Sequence, residues 1–381
     1  MTLEELRIRI NALNDRILEL FLQRQELAGQ VAQVKHASGS SVYDPARERQ
    51  ILSEVAEKAG EEMRDYATVL FSMLMELSRA YQHRLLATDS ALTGRVRQAL
   101  ADTDPLFPKY ASVACQGVEG AYSQLACQRV FSTPSITYFS TFDGVFSAIE
   151  DGLCSYGILP IENSIAGSVN KVYDLMMKHQ FSIVRSVRLK VDHNLLALPG
   201  TRLSQIREIF SHEQAINQCG GFLRSLGSQV TVHVVENTAV AARMVAQSGR
   251  TDWAALSSRN CAGLYGLDCL AQSVQDQGNN YTRFICISKN LEIYPGADRT
   301  SIMLITPHAP GALYKVLSRF YALGINLVKL ESRPLPDRDF EFMFYFDLDA
   351  SVYNPSLVQL LGELENMCEA FHYLGSYSEL I

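Results

Sequence analysis

From Thr2 to Lys35 the chain reads TLEELRIRINALNDRILELFLQRQELAGQVAQVK, and its apolar residues recur in alternating steps of three and four. Leu3, Leu6, Ile10, Leu13, Ile17, Leu20, Leu27, Val31 and Val34 make one seam, which Arg24 interrupts. That heptad spacing predicts a single long helix, about 50 Å at 1.5 Å per residue. Thr2 and Glu5 are spaced as a capping box, each side chain satisfying an orphan backbone N–H. So long a seam cannot be covered within a small monomer, so a partner helix is expected from a second subunit. Asp44-Pro45 starts a second helix, with Asp at the N-cap and Pro at the first helical position, ending near Gly60. Met63, Leu70, Leu74, Leu77, Tyr81 and Leu85 form a third apolar stripe. Residues 1–88 are thus expected to be an all-α domain.

The polar residues of this segment carry its chemistry. An unpaired charge in an apolar seam is costly, so Arg24 should face an anion. A register-setting polar residue is the plainer alternative. Lys35 lies eleven residues on, nearly on the same face, and the two could close on a small dianion. Arg7, seventeen residues before Arg24, is about 100° off that face and would serve a different site, such as a dimer partner's. Arg47 and Glu48 open the second helix. Ser78 and Gln82 share a face of the third at i, i+4.

Working outward, residues 89–110 hold Asp102, Thr103, Asp104, Pro105 and Pro108 without a sustained period, and read as a linker. Residues 111–290 alternate short β-rich runs with helical patterns: Ala111–Cys115, Tyr156–Ile161, Ile209-Phe210, Val230–Val235 and Trp253–Leu256 are the strands. Ser211 and Gln214 are spaced as a capping box. The alternation predicts a bilobed α/β domain with ligands at the strand ends. Residues 299–378 read strand, helix, strand, strand, helix, strand, the ferredoxin-like βαββαβ order.

Composition narrows the class. The chain has 381 residues, enough for two to four domains, and a net charge of −7. An acidic balance argues against a nucleic-acid partner. No apolar run reaches the roughly 18 residues of a membrane span, and the acidic start does not read as a signal peptide, so a cytoplasmic protein is expected. Eight scattered cysteines without a Cys-x-x-Cys pair fit reduced thiols better than a zinc site or a disulfide scaffold.

Two further regions hold candidate ligand groups. Pro160-Ile161-Glu162-Asn163-Ser164 follows a strand and precedes Gly167-Ser168 and a helix. Such loops can offer backbone N–H groups to a carboxylate, although most are only turns. Tyr281-Thr282-Arg283-Phe284 enters a strand, where a Thr-Arg pair is ordinarily structural. His193 and His212 read as loop hydrogen bonders and the cysteines as packing residues.

Segment 1–88 resembles the all-helical chorismate mutases. The whole chain resembles the bifunctional chorismate mutase–prephenate dehydratases of phenylalanine biosynthesis, in order and over nearly its full length. In the first domain the resemblance rests on Arg7, Arg24, Lys35, Asp44, Arg47, Glu48, Ser78 and Gln82. It implies an intertwined homodimer, with a tetramer as the alternative, in which Arg7 completes the other chain's site. Lys35 and Gln82 would sit at the breaking ether bond, Arg24 and Arg7 at the two carboxylates, and Glu48 at the ring hydroxyl. Asp44, Arg47 and Ser78 complete the implied substrate-binding set. In the second domain, Thr282 matches the threonine of the Thr-Arg-Phe motif. Glu162, Asn163, Ser164, Ser211, Gln218, Thr238 and Arg283 match family positions and are candidates for binding prephenate. The family's first loop, Gly-Pro-x-Gly-Ser/Thr-Tyr-Ser, appears here as Gly117-Val118-Glu119-Gly120-Ala121-Tyr122-Ser123, without the proline and one hydroxyl. Gly311-Ala312-Leu313 and Glu331-Ser332-Arg333 match the phenylalanine-binding motifs of ACT regulatory domains, which implies feedback inhibition of the dehydratase, with the mutase as a second target left open. Neither implied reaction calls for a cofactor or a metal. A non-catalytic amino-acid sensor and a chain with one decayed site are the competing readings.

Overall fold

The computed structural model describes residues 2–86, 90–335 and 341–381. It divides into two compact units, Met1–Arg95 with Ala309–Leu323 and Val358–Cys368, and Val96–His308 with Gly324–Leu357 and Glu369–Ile381. The expected boundary at 88/89 lies outside the described residues.

In the first unit, α1 (Leu3–Ala37) is the long helix that the seam predicts, and Thr2 and Glu5 form the capping box. Its seam is bare: Ile17, Leu20 and Leu27 are 63 %, 61 % and 60 % exposed. The following helix, α2 (Pro45–Leu86), is broken at Gly60, whose φ of 72° and ψ of 171° are non-helical. Glycine takes that positive φ without the Cβ clash other residues would meet. Its second half packs on the C-terminal half of α1, where Gly29 lets Tyr81 and Leu85 come close.

The segment read as a linker needs a correction. It contains α3 (Ala91–Asp102), and Leu92, Val96 and Ala99 are buried on one of its faces. Those residues stand at i, i+4 and i+7, a helical stripe too short to stand out beside the prolines that follow.

The second unit begins with β1 (Tyr110–Gln116), α4 (Tyr122–Val130), β2 (Thr133–Phe139), α5 (Phe142–Glu150), β3 (Tyr156–Asn163), β4 (Gly167–Ser168), α6 (Asn170–Lys178) and β5 (Ser182–Lys190). The chain then crosses into a second lobe: β6 (Asn194–Ala197), β7 (Glu208–Ser211), α7 (Glu213–Gln218), α8 (Gly220–Ser225), β8 (Thr231–Val234), α9 (Thr238–Ser248), β9 (Trp253–Ser257), α10 (Arg259–Tyr265) and β10 (Asp268–Ala271). It returns through β11 (Tyr281–Ser288). Beyond lie β12 (Arg299–Ile305), α11 (Ala312–Ala322), β13 (Asn326–Pro334), β14 (Phe342–Asp349), α12 (Pro355–Met367), β15 (Ala370–Tyr377) and β16 (Glu379–Leu380).

Among the described residues the strands form three sheets. The first lobe orders β16-β5-β11-β3-β1-β2, with β4 on β3. The second orders β10-β6-β9-β7-β8, and the third β13-β14-β12-β15. In the chain, the strands of this last sheet and the helices between them follow as strand–helix–strand–strand–helix–strand. Strands β2, β5, β6 and β10 went unmarked in the sequence, and β11 was noted only as the strand that Tyr281–Phe284 enters; β6 and β10 have four residues each, too few to show an alternation. The two chain crossings make the domain bilobed and aim its strand ends at a shared cleft. The capping box expected at Ser211 does not form. Ser211 Oγ donates instead to the Leu256 carbonyl at 2.7 Å, and His212 caps α7 by accepting from Gln214 N.

Candidate active sites

Helices α1 and α2 enclose a cleft of about 260 Å3 in the first unit. Arg24 and Lys35 reach it from α1, Asp44, Arg47 and Glu48 from the start of α2, and Ser78 and Gln82 from its end. Seven of the eight residues expected in this region therefore share one cleft. The Asp44 carboxylate caps α2 by accepting from Arg47 N at 3.0 Å. Lys35 Nζ donates to the Val42 carbonyl at 2.8 Å, which fixes the ammonium at the mouth of the turn. Arg24 donates to the Leu74 carbonyl at 3.0 Å and to Ser78 Oγ, and Ser78 donates on to Gln25 Oε1 at 2.9 Å. Burial lowers the Arg24 pKa, and the nearby Glu48 carboxylate opposes that shift. Gln82 Oε1 is buried and lacks a partner among the described residues. An orphaned amide in a cationic cleft suits a ligand that completes its hydrogen bonds.

Arg7 does not line this cleft. It is exposed on α1, about 25 Å along the axis from Arg24. Arg79 does line it, and the sequence reading missed it. Met75, Ser78, Arg79 and Gln82 fall at i, i+3, i+4 and i+7, so the stripe that marked Ser78 and Gln82 already contained Arg79.

A second cleft, about 560 Å3, opens between the lobes of the α/β domain. Ile165 and Ala166 line it from one lobe, His212 and Gln218 from the other, and Gln275 and Asn280 from the returning chain. Thr282 on β11 stands opposite Asn163 on β3. Asn163 Nδ2 donates to Thr282 Oγ1 at 3.0 Å and to Asn280 Oδ1 at 2.8 Å. Asn163 Oδ1 accepts from Ile165 N and Ala166 N at 3.0 and 2.8 Å, which fixes the amide orientation. Thr282 thus accepts from Asn163 and retains its own O–H to donate. Asn280 Nδ2 donates to Gln218 Oε1 at 2.8 Å, and His193 Nε2 reaches the same oxygen at 2.9 Å. Burial lowers the His193 pKa, with the Gln218 hydrogen bond and the Asp192 charge opposing it. Because Gln218 Oε1 can only accept, this bond requires a proton on His193 Nε2. Asn280 enters the network unsignalled by any sequence motif, while His193 takes the hydrogen-bonding part expected of it. Ser164 Oγ donates to the Asn279 carbonyl at 3.0 Å and accepts from Tyr281 N at 2.9 Å, clamping the same returning chain.

Four expected binding residues make other contacts in this structure. Arg283 faces away from Thr282, because neighbours on a strand alternate sides. It pairs with Asp347, donates to Tyr377 Oη at 2.8 Å and lies 3.1 Å from Glu379, so a substrate carboxylate has no claim on it. Burial alone would lower its pKa, but the surrounding Tyr377, Asp347 and Tyr345 side chains and the Asp347 hydrogen bond raise it well above the usual value. Glu162, opposite Arg283, lies 3.2 Å from Lys329 on β13. Ser211 is wholly buried in the cross-strand bond described above. Thr238 begins α9, where Asn237 is the cap.

The loop Gly117–Ser123 keeps its shape without the lost hydroxyl. Ala121 is the N-cap of α4 and gives no side-chain cap, which costs about 1 kcal/mol against a hydroxyl residue. Gly120 has φ +90°, and a Cβ there would meet Cys261 Sγ at 3.0 Å. Tyr122 Oη donates to the Asp192 carbonyl at 2.9 Å, at the first crossing between lobes. In the C-terminal region, Gly311, Ala312 and Leu313 open α11, and Ser332 lies on β13 between two committed neighbours. Glu331 accepts from Ser168, and Arg333 Nε lies 3.0 Å from Asp174 on α6.

Comparison with known proteins gives two family matches: chorismate mutase type II over residues 6–83 and prephenate dehydratase over residues 113–292. The chain is 32 % identical to the bifunctional chorismate mutase/prephenate dehydratase of Escherichia coli, over 98 % of this chain and 95 % of that one. It is 37 % identical to arogenate dehydratase/prephenate dehydratase 1, chloroplastic, of Arabidopsis thaliana, over 70 % and 71 %. Among solved structures it resembles the prephenate dehydratase of Arthrobacter aurescens in complex with L-Phe, with a TM-score of 0.64 and 26 % identity, covering 70 % of this chain and 89 % of that one.

Proposed function

The chain belongs to the bifunctional chorismate mutase–prephenate dehydratase family, and we propose that its helical cleft and its interlobe cleft are the two active sites. It is an enzyme of phenylalanine biosynthesis with chorismate mutase and prephenate dehydratase activities. Residues 1–88 carry the first in this reading, 111–290 the second, and 299–378 a regulatory ACT domain. The observation that carries the assignment is the convergence of Arg24, Lys35, Asp44, Arg47, Glu48, Ser78 and Gln82 on one cleft from sequence-distant helical segments.

The mutase step is a pericyclic rearrangement and needs no nucleophile. The site gains rate by holding the reactive conformer and by stabilising charge as the ether C–O bond breaks. Lys35 and Gln82 donate to the ether oxygen, Arg24 takes one carboxylate and Glu48 the ring hydroxyl. Arg7 of a second chain takes the other carboxylate, in an intertwined homodimer that the bare α1 seam supports. The dehydratase step couples loss of carbon dioxide to loss of the C4 hydroxyl, leaving phenylpyruvate. Thr282 donates its free O–H to the departing hydroxide, held in line by Asn163, while Asn280, Gln218 and Ser164 shape the site. Phenylalanine binds at the C-terminal region through the Gly311–Leu313 and Glu331–Arg333 segments and inhibits the dehydratase. A cytoplasmic setting completes this reading, and eight cysteines without a disulfide suit it.

Single substitutions separate the two sites. Lys35→Ala lowers mutase kcat by about 10²–10³, the worth of a preorganised charge donor, and leaves prephenate turnover intact. Thr282→Val does the reverse. Mutase turnover that survives Lys35→Ala would contradict the assignment.

A further inference from the structure

Glu48 is one end of a chain of four alternating charges. Arg79 pairs with Glu48 through one guanidinium nitrogen and with Glu76 through another. Glu76 in turn accepts from Arg319 Nη2 on α11, at 2.8 Å through its carboxylate and 3.2 Å through its carbonyl. The side chains of Glu48, Arg79, Glu76 and Arg319 are 23 %, 14 %, 12 % and 8 % exposed, so the chain runs from the cleft edge into the protein. The Arg79 guanidinium also lies 5.2 Å over the Tyr43 ring. Burial works to lower its pKa, but the hydrogen bonds and charges of Glu48 and Glu76 more than offset this and raise it. A second cavity of about 390 Å3, lined by Pro310, Gly311, Tyr314 and Lys315, shares Glu48, Met75 and Arg79 with the mutase cleft. The Glu48–Arg79 pair is the partition between the two.

We propose that Arg79 is a positioning residue of the mutase site, which sets the Glu48 carboxylate toward the substrate hydroxyl and is itself anchored to α11 by Glu76 and Arg319. Arg79 occupies Glu48 Oε1, so Oε2 is the oxygen presented to a ligand. A guanidinium suits the task because its rigid fork holds two carboxylates at once, which an ammonium does less well. The proposal rests on the reading of Glu48 as the hydroxyl-binding group.

The test uses the full chain, with chorismate as substrate for the mutase and prephenate for the dehydratase in the same preparations. Arg79→Gln is expected to raise the KM for chorismate about tenfold, the worth of one charge-assisted hydrogen bond, with a smaller change in kcat. Prephenate turnover stays unchanged, which reports that the chain is folded. Glu48→Gln raises KM likewise, and the double variant is no worse than Glu48→Gln alone, because Arg79 acts only through Glu48. Arg319→Gln, remote from the cleft, raises KM several-fold. An unchanged KM in Arg79→Gln overturns the proposal while leaving the Glu48 reading intact, and so does a loss that is fully additive with Glu48→Gln. An unaffected Glu48→Gln overturns both. An unchanged KM in Arg319→Gln overturns the anchoring through α11.

Discussion

Thr282 and Arg283 are adjacent in sequence and serve opposite faces of β11. One hydrogen-bonds Asn163, which in turn reaches the cleft-lining Asn280, and the other is buried against Asp347 and Tyr377. A motif read as a string treats them as one unit, whereas strand geometry separates them. The same split turns Asn163 to Thr282 and Glu162 to Lys329. These side-chain directions were legible in principle, since the alternation is fixed once the strand is known. The sequence placed Thr282 and Arg283 only at the entry of a strand and ended β3 at Ile161, so it did not assign the faces. The residue types in the mutase cleft were easier to read, because helical spacing alone brings 75, 78, 79 and 82 together. His193 gives a prediction at this scale. Its folded pKa is depressed from 6.5, so between that depressed value and about 6.5 the unfolded chain binds more protons than the native one. Stability is therefore lost as pH falls below about 6.5. His193→Asn should flatten that part of a plot of thermal midpoint against pH, and an unaltered slope would exclude His193 as its source.

The elements differ in how much sequence betrays them. Helix α1 was readable end to end, cap included, because a heptad over 35 residues admits no competing period. Helix α3 was not, since three buried apolar residues in 12 give too few repeats to distinguish a helix from a loop. The strands of the two lobes are short and often apolar throughout, so their alternation is erased where both faces are covered. What α1 leaves exposed carries its own consequence. Large apolar side chains in a continuous row drive association. Ile17→Glu, at a bare seam position, should convert the proposed dimer to monomer in sedimentation velocity and abolish mutase turnover, because Arg7 could no longer reach a partner's site. A variant that sediments as a monomer yet keeps full mutase activity would remove Arg7 of the second chain from the mechanism.

At the scale of the whole molecule, the net charge of −7 says little about two sites that both receive dicarboxylates. Arg24, Lys35, Arg47 and Arg79 gather at one cleft, and the bulk figure conceals them. The C-terminal sheet is tied to the first lobe by buried polar contacts. Arg283 meets Asp347 and Tyr377, and Tyr173 meets the Tyr345 ring at 4.8 Å. A ligand that favours one arrangement of that sheet would act directly on the strand bearing Thr282. Saturating phenylalanine is accordingly expected to raise the thermal midpoint and lower the rate of prephenate turnover, and an unchanged rate would remove the regulatory assignment. The central claim is that one chain carries two successive reactions at two separate clefts. The most direct measurement supplies purified protein with chorismate alone and follows prephenate and phenylpyruvate over time. Prephenate should appear first and phenylpyruvate after it, whereas the formation of neither product would contradict the account.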